Sequence, residues 1–202
     1  MSLALKGFLI GFAIAAPVGP IGVLCIRRTL SDGRSIGLLS GLGAATADMF
    51  YGSVAAFGLT AIQNALVTRQ FWLHVVGGLF LIYLGIRTFM TKPSDSAALA
   101  PERSSWWAAY LSTLGLTLTN PATILSFTVI FAGLRLAESA GSYTSAAALV
   151  AGVFLGSATW WLTLTAVVSL FRERFTARWM LWVNRIAGTV IFAFGAAALA
   201  LQ

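Results

Sequence analysis

Charge is what this chain has least of. Six acids and 13 basic residues make up 9% of 202 residues, against roughly 25% in a soluble domain, so an ordinary soluble fold is excluded. There is one cysteine and one histidine. A lone Cys25 rules out an internal disulfide, and inside an apolar run it reads as a small packing residue. His74, with no acid or cysteine near it, makes a poor metal site and reads as an interfacial hydrogen-bonding group. The apolar runs contain no paired carboxylates, no nucleophile beside a base and no His/Asp cluster, which argues against a membrane enzyme. The segment Gly41 to Thr46 faintly resembles a dinucleotide loop, but it lacks the third glycine and lies within an apolar run. No cofactor is expected.

What the chain has instead is apolar length. Apolar residues make up 58%, in six stretches near 3–26, 36–60, 71–90, 106–134, 144–171 and 183–201. Each is long enough to cross a hydrocarbon core of about 30 Å, which takes roughly 20 residues. Together they leave no room for a soluble domain. The net charge of +7 does not point to nucleic acid, because the basic residues sit at the ends of the runs. Arg27, Arg28 and Arg34 follow span 1. Arg87, Lys92 and Arg103 lie between spans 3 and 4, and Arg172, Arg174, Arg178 and Arg185 between spans 5 and 6. Only Lys6, Arg69 and Arg135 lie on the other side. The positive-inside rule puts the first group in the cytoplasm and both termini outside. Trp72, Trp106, Trp107, Trp179 and Trp182 fall at span ends, as an aromatic belt against membrane lipid should. The N-terminus imitates a signal peptide, with Ala13 to Ala15 as a cleavage site. The run continues to Ile26 and ends on Arg27 and Arg28, which reads as a retained span with a cytoplasmic anchor.

The chain repeats itself. Gly41, Thr46 and Asp48 align with Gly152, Ser157 and Thr159. Gly78 and Gly85 align with Gly188 and Gly195, and Pro17 with Pro121. The expected fold is all-α and integral to the membrane: six transmembrane helices as a 3+3 inverted repeat, with spans 1 and 4 broken. Its units are residues 1–90, a polar cytoplasmic linker at 91–105, and residues 106–202. Small residues four apart, as in Gly7/Gly11, Gly37/Gly41 and Gly152/Gly156, let helices approach closely. They read as internal packing, with a homodimer left open.

Two interruptions occupy matching places, Pro17-Val18-Gly19-Pro20 in span 1 and Thr119-Asn120-Pro121 in span 4. Broken helices in corresponding positions point to a transporter's substrate site. Each proline suits the first position of a new helical segment, with Asn120 as the N-cap before Pro121. The new segments' positive ends then meet near mid-membrane, where helix N-termini favour a carboxylate. The bland alternative for each is a packed proline kink. Asp48 is the one acid within a span, and a charge there costs around 2.5–3.5 kcal/mol. It reads as holding a proton or a substrate ammonium, with a structural carboxylate as the alternative. Thr46 lies beside it. Trp160 and Trp161, next to Thr159, either wall the path or pack against spans 1 and 4, and Arg27 and Arg28 read as cytoplasmic anchors, with Arg27 meeting substrate as it enters the path as the alternative.

With these residues in view, the chain resembles the LysE/RhtB family of bacterial amino-acid exporters. The resemblance rests on Pro17-Val18-Gly19-Pro20, on Gly37, Gly41 and Asp48, on Asn120-Pro121, and on Gly152, Gly156, Ser157, Trp160 and Trp161. It implies an inner-membrane secondary transporter, driven by the proton gradient, that exports an amino acid or related metabolite. It also implies that Asp48, Gly19-Pro20 and Asn120-Pro121 form the transport site. Many members carry Asn or Gln-Asn after the Gly-Pro pair. Here Ile21 and Gly22 follow, which removes a polar contact and leaves the substrate open. A cation or metal-ion exporter is the alternative within transport, although one acid and a distant histidine supply few ligands. A non-transporting membrane scaffold is the alternative outside it.

Overall fold

The computed structural model describes residues 2–17, 19–57, 70–91, 105–120, 123–124, 126–127, 143–172 and 176–200. Among them are seven helices and no strand: α1 Leu3–Ala15, α2 Pro20–Asp32, α3 Arg34–Ala56, α4 Gln70–Met90, α5 Trp106–Leu118, α6 Tyr143–Leu170 and α7 Ala177–Ala200. Two of them, α6 and the Arg178–Ala200 part of α7, are each long and apolar enough to cross a membrane. The pair α1 and α2 passes the same test as one span bent by 80°. The linker at 91–105 lies outside the described residues apart from Thr91 and Ser105.

Local chemistry sets the ends. Ser2 caps α1, its hydroxyl accepting from the Leu5 N–H at 3.3 Å. A single residue, Gly33, separates α2 from α3 with φ 103° and ψ 164°. That region is nearly closed to residues with a Cβ. The helices therefore extend past the expected ends of spans 1 and 2, to Asp32 and back to Arg34, and the basic segment is helical.

Glycine governs the packing. A Cβ on Gly7 or Gly11 of α1 would strike the Leu149 or Val153 carbonyl of α6, and one on Gly152 or Gly156 would strike Ala4 or Phe8. These contacts advance together along both helices, so α1 and α6 run parallel with backbones nearly touching. In membranes, where apolar burial gives helices little reason to associate, such close approach is the main source of packing energy. Helices α4 and α7 are antiparallel, Gly78 against Gly195 and Gly85 against Gly188. Helix α3 lies between α6 and α5, with Gly41 against Trp161 and Gly43 against Tyr110. The apolar core has two clusters. One gathers Ile10, Tyr51, Ile124, Phe127, Leu149 and Val153. The other gathers Ile21, Leu24, Cys25, Ala44, Leu116 and Trp161.

Candidate functional site

Between these clusters lies a polar layer. On α3, Ala44 and Ala45 belong to one cluster and Tyr51 to the other, with Asp48 between them. On α6, Val153 and Trp161 take the same two sides, and Ser157 stands between. Asp48 is 3% exposed, and its Oδ2 accepts from Ser157 Oγ at 2.7 Å. A buried carboxylate needs such donors, because an unpaired one is costly. Here the donor is a neutral hydroxyl.

The second break borders this layer through Tyr51, and the first lies at the start of α2. At the first, Gly19 is the N-cap of α2 and Pro20 its first residue. The Gly19 N–H turns back to the Pro17 carbonyl at 3.0 Å, and the Gly19 carbonyl accepts from Val23 at 3.0 Å. A Cβ on Gly19 would meet nothing within 4 Å, so open space lies beside the helix start. Pairing across the Gly33 turn sets Thr29 against Gly37 and Arg28 against Ser40. At the second break, the Asn120 carbonyl accepts from the N–H groups of Thr123 at 3.1 Å and Ile124 at 3.2 Å. That is where an N-cap carbonyl goes, so a new helical turn starts there. Pro121 and Val18 lie outside the described residues.

The remaining expected residues divide. Thr46 accepts from the Tyr110 hydroxyl at 2.9 Å and so ties α3 to α5. Thr119 ends α5, its hydroxyl donating to the Gly115 carbonyl at 3.0 Å. Pro17 is exposed between α1 and α2. Thr159 lies on the outer face of α6, bonded to its own helix at Leu155, 2.7 Å. Trp160 packs edge-on to Phe12 of α1, centroids 5.4 Å apart. Trp161 is 4% exposed, and its indole N–H has no partner among the described residues. The structure thus sets Asp48 against Ser157, ties α3 to the residue before the second break through Tyr51, and leaves Thr159 on the outer face of α6. Sequence reasoning passed over Ser157 as a site residue. It also passed over Tyr51, whose hydroxyl donates to the Leu118 carbonyl just before the second break. An apolar helix with an acid must present a donor from a facing helix, and that rule could have singled out Ser157.

The profile of a family described as LysE type translocator matches residues 12–202. A putative amino acid efflux protein, YcgF of Bacillus subtilis, is 29% identical over 199 residues, covering 96% of this chain and 94% of its own length. The threonine efflux protein of Salmonella typhi is 27% identical over 195 residues, 91% of this chain and 90% of its own. The uncharacterized membrane protein YahN of Escherichia coli is 29% identical over 173 residues, 84% and 76%. No solved structure matches.

Proposed function

The chain belongs to the LysE type translocator family, and on that premise we propose that it exports an amino acid or related small metabolite from the cytoplasm in exchange for protons. One observation carries the reading: a buried carboxylate, Asp48, held by the neutral hydroxyl of Ser157. An ionised acid at such a depth is costly unless a cation offsets it. A proton or a substrate ammonium meets that need equally, and one carboxylate holds one of them at a time. Alternate occupancy is exchange. The free N–H groups at the start of α2, with space left by Gly19, suit the substrate's carboxylate.

The proposal includes an inverted repeat, whose two halves rock about this site. The α4/α7 seam supports it. Gly78 and Gly85 align in sequence with Gly188 and Gly195, yet Gly78 packs against Gly195 and Gly85 against Gly188. Such exchange of equivalents is what a two-fold relation produces. The helix directions agree, with α1 parallel to α6 and α3 antiparallel to it.

Inside-out vesicles with an acid lumen test the reading. They should accumulate a labelled amino acid, threonine first among a panel, and lose the accumulation when a protonophore collapses the gradient. Accumulation that survives the protonophore contradicts antiport. No accumulation of any amino acid contradicts the substrate class.

A further inference from the structure

Arg27 and Arg28 do not behave as lipid anchors. Basic side chains at a span end ordinarily reach outward to the headgroups; these two turn inward. Arg28 Nη1 donates to Ser40 Oγ at 2.8 Å, Thr113 Oγ1 at 2.9 Å and the Ala109 carbonyl at 3.1 Å, and Nη2 donates to Ser112 Oγ at 2.9 Å. Arg27 Nε donates to Asn184 Oδ1 at 3.0 Å, and Asn184 Nδ2 to the Thr91 carbonyl at 3.1 Å. Beyond α6, Arg172 Nε donates to the Leu30 carbonyl at 3.2 Å. The last turns of α2 are thereby fastened to α5, to α7 and to the segment after α6, all in the other half of the chain.

The chemistry of these bonds is uneven. Every acceptor is a neutral hydroxyl, amide or carbonyl. Among the described residues no carboxylate forms an ion pair with either arginine; Asp32, further along α2, acts on both through its charge. The guanidiniums are therefore hydrogen-bonded but not neutralised. A guanidinium bonds a carboxylate about twice as strongly as a neutral acceptor, and in a matching fork. The network stands at the end of the bundle where the basic loops cluster, the end a cytoplasmic substrate would enter.

We propose that Arg27 and Arg28 form a latch across the cytoplasmic mouth, and that a substrate carboxylate opens it by taking the Arg28 donors from Ser40, Ser112 and Thr113. The trigger rests on the exporter reading; the latch does not.

Cys25 reports the latch directly. It is the sole cysteine, lies about one turn before Arg28 on α2 and is 0% exposed. Its labelling by N-ethylmaleimide in inside-out vesicles should be slow in the wild type and about tenfold faster or more in Arg28→Gln, the shift that losing charge-assisted bonds gives. Asn184→Ala removes the Arg27 acceptor without touching a charge and should move labelling the same way, which keeps the test open if Arg28→Gln does not fold. L-threonine, L-leucine or L-lysine should accelerate wild-type labelling, and the corresponding amides should not. Unchanged labelling in the folded variants overturns the latch. Equal acceleration by acids and amides, or accumulation of an amino acid that never accelerates labelling, overturns the trigger while the exporter reading stands. Acceleration without accumulation in vesicles shows a carboxylate opening the latch without transport, which leaves the latch standing and overturns the exporter reading together with the trigger's place in it.

Discussion

The same substitution should have opposite effects at two helical glycines. A Cβ on Gly156 would fall inside 3.0 Å of backbone atoms of Phe8 and Phe12. Ordinary contact begins at 3.4 Å, and backbone cannot swing aside as a side chain can, so α1 and α6 must part. Overpacking of this kind costs about 1–3 kcal/mol. Replacing a helical glycine by alanine returns up to about 1 kcal/mol, so Gly156→Ala should be destabilised by about 0–2 kcal/mol net. A Cβ on Gly115 of α5 meets nothing within 4 Å, so Gly115→Ala keeps the propensity gain alone, about 0.5–1 kcal/mol. The two variants should stand about 2 kcal/mol apart. Adding Gly11→Ala to Gly156→Ala should cost less than Gly11→Ala alone, because parting the helices once relieves both contacts. The assay is thermal unfolding in detergent, followed by the fraction remaining monodisperse. Equal stability of Gly156→Ala and Gly115→Ala would refute the account of the α1/α6 seam.

Three further outcomes follow from the polar layer and its borders. Ser157→Ala leaves the Asp48 carboxylate without this donor and should lower stability by about 1–3 kcal/mol, with slowed efflux in vesicles; Ser157→Thr, which keeps a hydroxyl, should recover part of both. Tyr51→Phe removes the bond to the Leu118 carbonyl and should cost about 1 kcal/mol, seen as a lower melting midpoint. Gly33→Ala places a Cβ at φ 103° and should cost about 1–3 kcal/mol, whereas Gly19→Ala, in extended backbone with open space, should melt like the wild type.

The sequence shows some of this plainly and hides the rest for physical reasons. Spans 3 and 5 were read to within a residue of α4 and α6, because both are unbroken apolar runs. The end of span 1 was not: Arg27 and Arg28 resemble a terminus until their acceptors on α3, α5 and α7, distant in sequence, are in place. Asp48 stands out as the one acid in a span. Its partner does not, since a serine among glycines and alanines is commonplace. The alignment of the halves sets Thr159 beside Asp48, whereas antiparallel packing of α3 on α6 brings Ser157 there instead.

The role of Asp48 is tested most directly by Asp48→Asn in reconstituted vesicles under an imposed pH gradient. The amide keeps the shape and an acceptor for Ser157 but cannot take up a proton. Gradient-driven accumulation of amino acid should vanish, together with substrate-induced proton movement, while the protein still elutes as a folded species. Proton movement that continues in step with substrate in Asp48→Asn would contradict the assignment.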